Sequence, residues 1–243
     1  MSCWLAANKL SLNVKKSNFL HFHHGKTNKK NINLKINNTP VEEKQSTKYL
    51  GTLIDNKLTW KNQIQQTKTK IAKGIGMITK IRHFLGNDTC LKNLYYSFIQ
   101  SHINYNLVNW SCTYPSYLEP IEKKIKKAVR LISFSKTKFD HTPPLFRKHG
   151  ILPFSELITY KKAIFMWRSA HNFAPVSLTS SLFTKNQHNP THFILPFPSN
   201  EKDKNSFEYS CVKTWSNVPE ALKLSSTLNT FTSKLKHLLI SKI

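Results

Sequence analysis

The sequence predicts an α+β fold, in which a small antiparallel sheet is followed by a helical segment and a helix-rich C-terminal region. Two patterns predict it: apolar residues recur with period two in the first 60 residues and with a period near 3.6 in much of the remaining chain. The 15 Phe, 8 Tyr and 5 Trp among 243 residues supply enough apolar surface for a core. With 6 Gly, the chain is a poor match to the phosphate-cradling α/β folds, which depend on glycine-rich turns.

The first 59 residues are expected to form short strands. Asn37-Asn38 is a turn signal between apolar residues, as in a hairpin. Residues 4–7 are expected to end a helix whose beginning is missing, which makes Met1 a point of truncation. The alternating apolar residues are Leu10, Leu12 and Val14, and then Ile32, Leu34 and Ile36.

Helices are expected from residue 60 onwards, because the apolar residues there fall on one face of a helix. Asn87 is a candidate N-cap for the second of them. Lysine and arginine fill the other positions of the first and third helices. The expected helices cover residues 60–85, a stretch after Asn87, and residues 118–132, 155–173 and 227–239.

Two stretches without helical periodicity separate the later helices. Residues 136–155 are expected to form a proline-containing connection, and residues 174–206, rich in Pro, Asn, Ser and Thr, are expected to form a loop. Three segments follow from these patterns. They are the strand-rich residues 1–59, the helical residues 60–135 and the C-terminal region 136–243.

The chain is strongly basic, with 37 Lys+Arg against 12 Asp+Glu and a net charge of +25. The three segments carry +7, +9 and +9, so the charge belongs to periodic, foldable sequence rather than to a tail. A surface this basic repels itself unless it meets a polyanion, and nucleic acid is the commonest one. Nucleic acid is therefore the expected partner.

Membrane association and secretion are not expected. No apolar run approaches the ~18 residues of a spanning helix, and the N-terminus has no basic segment followed by an apolar one. The 4 Cys are far apart in the sequence and are expected to be reduced thiols. These features favour an intracellular protein of the nucleus or cytoplasm.

Four stretches resemble one family. Trp4-x-x-x-Asn8-Lys9-Leu10-Ser11-Leu12-Asn13-x-x-Lys16-Ser17 and Lys48-Tyr49-Leu50-Gly51-x-x-Ile54-Asp55-x-x-Leu58-x-Trp60 look like palm motifs D and E of non-LTR (LINE-type, jockey-like) retrotransposon reverse transcriptases. Asp140-His141-Thr142-x-Pro144-Leu145-Phe146 and Thr214-Trp215-Ser216-Asn217-Val218-Pro219 are similar to the thumb and post-thumb region. The resemblance covers nearly the whole chain, and the stretches keep the order they have in the family.

The resemblance implies roles for matching residues. Tyr49, Leu50 and Gly51 take the position of the hairpin called the primer grip, where a glycine turn approaches the primer's terminal phosphate. Lys16 takes the position of the motif D lysine near the incoming nucleotide's phosphates, where it would protonate the leaving pyrophosphate. Residues 1–59 then correspond to a palm remnant and 60–135 to the thumb. The helix cations expected to contact duplex phosphates are Lys68, Lys73, Lys123, Lys127 and Arg130.

One departure from the family bears on catalysis. Polymerisation in this family uses two magnesium ions held by aspartates of motifs A and C, which precede motif D. The aspartates of this chain are not adjacent to one another; they are Asp55, Asp88, Asp140 and Asp203. The resemblance thus implies a C-terminal fragment of an RNA-directed DNA polymerase that binds RNA or RNA–DNA duplex. On its own the chain is expected to have no enzyme activity, no metal and no cofactor.

Other functions remain open at this point. The chain is alternatively a domesticated, non-catalytic module that binds nucleic acid or protein. A third possibility is an inert pseudogene product that does not fold because its strands lack sheet partners. The nucleotide sequence upstream of the Met1 codon would distinguish a fragment of a mobile element from a co-opted gene.

Several residues have a structural interpretation beside the functional one. His21, His23 and His24 suggest a metal, yet no partner ligand is near in sequence, and an exposed strand end is favoured. Lys16 without an upstream palm is expected to be a solvated lysine or a plain phosphate contact. The helix lysines either solvate a surface or bind phosphate. The aromatic residues that either stack bases or pack in the core are Trp60, Tyr95, Tyr96 and Trp110.

Overall fold

The structure is a computed structural model, and it describes residues 2–22, 32–36, 38–85, 87–135, 140–186, 191–201 and 203–243. The chain divides into two compact units, Met1–Gln63 and Ile64–Ile243. The architecture is α+β: in the described residues the named strands all lie in the first unit, and the second is helical. The predicted fold class is therefore confirmed, while the predicted domain limits at 59 and 135 stay predictions.

The first unit contains one helix and three separate two-stranded pairings. Helix α1 is Ser2–Ala7; the strands are β1 Asn18–Phe19, β2 Lys35–Ile36, β3 Thr39–Pro40, β4 Glu42–Glu43, β5 Ser46–Tyr49 and β6 Thr52–Asp55. The strands pair as β2–β3 and β5–β6, both antiparallel, and as β1–β4, which is parallel. The strands thus pair two by two instead of forming one antiparallel sheet. Asn37 of the predicted turn lies outside the described residues.

The alternating run at Leu10, Leu12 and Val14 does not form the expected strand. The Asn13 side chain accepts a hydrogen bond from the backbone N–H of Lys16 at 3.2 Å, and Val14–Lys16 form a 3-10 turn. Alternation predicts a strand only where a partner strand satisfies its backbone groups. None of the described strands pairs with this run, so a local asparagine turn forms in its place.

The second unit is built from helices. Helix α2, Lys61–Leu85, begins in the first unit and continues into the second. The helices that follow are α3 Asp88–Tyr95, α4 Ser101–Asn104, α5 Leu107–Trp110, α6 Pro115–Ile132, α7 Thr142–His149, α8 Phe154–Ala170, α9 Val176–Leu182, α10 Phe207–Ser216, α11 Glu220–Lys223 and α12 Leu228–Ser241. A π-helical turn, Tyr96–Gln100, joins α3 to α4, and Asp203–Asn205 form a 3-10 turn.

Three tryptophans define the core of the second unit. Trp110, Trp167 and Trp215 are each at most 1% exposed. Trp215 lies 6.0 Å from Phe231 of α12, centroid to centroid, and its indole N–H donates to the Thr191 carbonyl at 2.8 Å. Trp215 therefore packs α10 against the C-terminal helix α12.

Two expected irregular segments contain helices. Pro143 and Pro144 lie in the first turn of α7, where backbone N–H groups have no partner within the helix, so proline loses no hydrogen bond there. Gly150, at φ 61°, ends the helix. In α9 the hydroxyls of Thr179 and Ser180 donate to carbonyls one turn earlier. The residues that predicted irregular structure therefore lie in the first turn of α7 and within α9, which is a short polar helix.

Candidate nucleic-acid interface

The β5–β6 hairpin carries Tyr49, Leu50 and Gly51. Tyr49 pairs with Thr52, so Leu50 and Gly51 form a two-residue turn with φ 44° and 84°. Positive φ at both positions is the geometry of a type I′ turn, whose twist matches that of the flanking strands. Tyr49 is 63% exposed and Leu50 is 75% exposed, so both side chains face solvent at the tip of the hairpin.

Polar contacts fix the hairpin relative to the start of α2. The Asp55 carboxylate accepts hydrogen bonds from the backbone N–H groups of Thr59 and Trp60, each at 2.8 Å, and from the Thr59 hydroxyl at 2.9 Å. The buried Gln63 side chain accepts from the Leu53 N–H at 2.9 Å. Sequence reasoning matched Asp55 to a motif without seeing that its carboxylate organises the turn that precedes the helix.

Lys16 ends the 3-10 turn Val14–Lys16 and its side chain is exposed. Its position fits the solvated lysine or plain phosphate contact weighed above. The proton-donor role implied by the family stays a prediction.

Exposed lysines follow the outer face of α2. Ile71, Ile75 and Ile78 are buried, whereas Lys70, Lys73 and Lys80, at other positions around the helix, are exposed. Lys68, half-buried, lies 3.5 Å from the Gln65 side-chain oxygen. Lys73 therefore faces solvent as the sequence predicted, and Lys70 and Lys80 belong to the same face.

The cations of α6 differ in their partners. Lys123 forms an ion pair with Glu119 at 2.7 Å, while the Arg130 Nε–H donates to the Asp140 carbonyl at 3.0 Å. Lys127 is exposed, and no carboxylate among the described residues forms an ion pair with it. Exposed ion pairs are weak because water and salt screen them, so a phosphate can displace Glu119 from Lys123 at small cost.

The positive charge of Lys70 on α2 acts on His102 of α4. The pKa of the His102 imidazole is lowered, first by partial burial and then by the positive charge of Lys70. A cation that opposes protonation of its neighbour creates a local potential that attracts anions. The Glu119 pKa is lowered by its hydrogen bond to Lys123 and by that residue's charge.

The aromatic residues weighed as stacking candidates are packed to different extents. Tyr95 and Trp110 are fully buried, which confirms core packing for these two. Trp60 and Tyr96 are half-buried. Of the three clustered histidines, His21 is half-buried, and His23 and His24 lie outside the described residues.

A buried lysine escaped sequence reasoning. Lys162 in α8 is 4% exposed and donates a hydrogen bond to the Ser210 hydroxyl of α10. Burial raises the pKa of the neighbouring Cys112 thiol, and it raises the pKa of Cys211 to about 12. These cysteines are therefore protonated thiols at neutral pH, which does not favour a nucleophilic role.

Neither a membrane span nor a metal cluster was found in the part of the chain that the structure describes. No helix there is long and apolar enough to cross a membrane. No group of three or more His, Cys, Asp or Glu side chains is arranged there to hold a metal ion.

Comparison of the chain with protein-family models, with curated proteins and with solved structures found no match.

Proposed function

We propose that this chain corresponds to palm motifs D and E, the thumb and the post-thumb region of a non-LTR retrotransposon RNA-directed DNA polymerase. In this proposal it binds RNA or RNA–DNA duplex through the phosphates and does not polymerise by itself. The proposal rests on the four sequence stretches and on the chemistry of the exposed cations.

The observation that supports the binding activity is the set of exposed lysines on α2 and α6 of the helical unit. Residues 64–243 have a net charge of +17. Lys70 and Lys73 on α2 and Lys127 on α6 are exposed, and none of the carboxylates described in the structure forms an ion pair with them. A lysine that has no carboxylate partner gives up no ion pair when it binds a phosphate, and its binding releases cations that were condensed on the nucleic acid.

The lack of polymerase activity is argued from the sequence. Two-metal catalysis needs carboxylates close enough to bind both ions. None of the four aspartates is adjacent to another in sequence, and the acidic pair Glu42-Glu43 lies in a polar segment where the side chains of neighbouring strand residues point to opposite faces. We therefore expect no nucleotide incorporation by the purified chain.

Salt-dependent binding tests the proposal. We expect the association constant for an RNA–DNA duplex, measured by fluorescence anisotropy, to fall steeply and linearly on a log–log plot between about 50 and 200 mM salt. The combined Lys70→Gln, Lys73→Gln and Lys127→Gln variant should lower the slope by roughly one unit for each phosphate that the chain no longer binds.

A matched control separates the contribution of these three lysines from that of net charge. Lys213, Lys234 and Lys242 are also exposed but lie on or after other helices, and changing all three to Gln removes the same charge. An equal loss of slope in this control would assign binding to net charge alone. A flat salt titration of the unmodified chain would defeat the proposal.

A further inference from the structure

The C-terminal end of α8 carries a stack of aromatic rings. The buried Trp167 ring lies nearly parallel to His171, with centroids 4.1 Å apart and planes at 18°, and to Phe173, at 5.6 Å and 11°. It is also stacked with Phe231 of α12 at 5.9 Å and 23°. Phe173, in contrast, is 72% exposed, so this ring continues the stack towards solvent.

The helix stop accounts for the position of Phe173. The Phe173 N–H donates to the Arg168 carbonyl at 2.8 Å, and the intervening Asn172 has φ 61°. This is a Schellman motif, which commonly brings the residue after the left-handed position against the last helical turn. The motif explains why Phe173 contacts Trp167, and the nearly parallel contact with Trp167 orients the exposed ring.

Three cations lie on α8 or contact the residue before Phe173. Arg168 is exposed, and the Lys185 ammonium donates to the Asn172 side chain at 3.1 Å. Lys161 lies two helical turns before Arg168, and its pKa is lowered by burial and by the charge of Arg168. Within the described residues no carboxylate forms an ion pair with any of these three cations. An anion would relieve the repulsion between Lys161 and Arg168.

We propose that Phe173 is a stacking platform for an unpaired nucleobase of single-stranded nucleic acid, whose phosphates contact Arg168, Lys161 and Lys185. Exposed aromatic rings interleaved with cations are the means by which proteins bind single strands without sequence preference. The ring is held by Trp167 and by the helix stop, so little conformational entropy is lost when a base stacks on it. This inference rests on the proposed nucleic-acid binding and adds a single-strand site to it.

The test compares two oligonucleotides of the same length and charge, one of thymidines and one of abasic nucleotides. We expect the unmodified chain to bind the thymidine strand about fivefold or more tightly, a ratio that is unchanged between low and high salt because both strands carry the same phosphates. Phe173→Ala should bring the ratio close to one, and Phe173→Tyr, which keeps a ring, should preserve it.

Phe197→Ala is the matched control, because Phe197 is 95% exposed and stacks on no ring among the described residues. It should leave the ratio unchanged. Equal affinity of the unmodified chain for both strands overturns this inference alone. A preference for the thymidine strand that survives in Phe173→Ala also overturns it. So does a loss of that preference in Phe197→Ala equal to the loss in Phe173→Ala. Failure of both strands to bind also overturns this inference, whereas failure of the RNA–DNA duplex to bind in the salt titration overturns the proposed function. The comparison of the two strands on the unmodified chain needs no variant, so equal affinity overturns the inference even where Phe173→Ala misfolds.

Discussion

Leu50 occupies a backbone conformation that other residues adopt more easily. Its φ of 44° lies in the left-handed region, which costs a non-glycine residue about 1–2 kcal/mol. The side chain is 75% exposed, so burial does not offset this cost. Two-residue turns of this type favour Asn-Gly over Leu-Gly. The exposed leucine side chain therefore gains little from burial in this turn.

Leu50→Asn should stabilise the β5–β6 hairpin by up to about 1 kcal/mol, because asparagine tolerates the left-handed conformation. Slower hydrogen exchange of the hairpin amides would measure the effect. Gly51→Ala, at φ 84°, is the opposite control and should accelerate the same exchange. Faster exchange in Leu50→Asn would contradict the strain argument, and weaker duplex binding by a more stable hairpin would indicate that the leucine side chain contacts the ligand.

At the scale of elements, periodicity predicted the long helices well. Helices α2, α6 and α12 begin and end within about three residues of the expected limits, because each buries one apolar stripe. Periodicity did not predict helix α7, whose start depends on two prolines. The proline pair of α7 lies in a first turn, which composition does not distinguish from a connection.

The candidate site was predicted in part. The tight turn at Gly51 followed from the sequence, and so did the outward position of Lys73. The partner of Arg130 did not, since Asp140 lies 10 residues beyond Arg130 and only the packed chain brings its carbonyl within reach. The exposed Phe173 was also missed, because an aromatic residue after a helix is usually buried and its exposure depends on tertiary structure.

The π-helical turn Tyr96–Gln100 lies against α2 at a glycine. A Cβ on Gly74 would come within 2.7 Å of the Phe98 carbonyl oxygen and 3.0 Å of an Ile99 side-chain carbon. The two backbones therefore approach more closely than any residue other than glycine allows. This contact sets the orientation of the lysine face of α2 relative to α4, where His102 lies.

Gly74→Ala should lower the free energy of unfolding by about 1–3 kcal/mol, since the added methyl meets backbone atoms that cannot rotate away. Gly76→Ala is a matched control on the same helix, because a Cβ there meets nothing within 4 Å. It should raise stability by roughly 0.5–1 kcal/mol through helix propensity. Urea unfolding of both variants measures the difference, and equal effects of the two substitutions would contradict the close approach of α2 and the π turn.

At the scale of the whole molecule, the two units differ in how much apolar surface they bury. In the described residues of the first unit the buried side chains are Thr52 and Gln63, both polar, while Trp4, Leu10, Tyr49 and Leu50 are more than half exposed. The second unit buries three tryptophans and many aliphatic side chains. Hydrophobic burial is the main favourable term in folding, so the second unit should hold most of the stability.

Hydrogen exchange of the full chain tests this division. Amides of α6 and α8, such as those of Ile125 and Trp167, should exchange only through global unfolding, because both side chains lie in the core. Amides of the β5–β6 hairpin should exchange through local opening, at a free energy several kcal/mol lower, since a hairpin of two four-residue strands is marginal in water. The two classes should also respond differently to low concentrations of urea, which promote global unfolding and leave local opening nearly unchanged. Equal protection of the hairpin and the core helices would mean that the first unit is stabilised as strongly as the second, and the difference in buried apolar surface would then not set the stability of the chain.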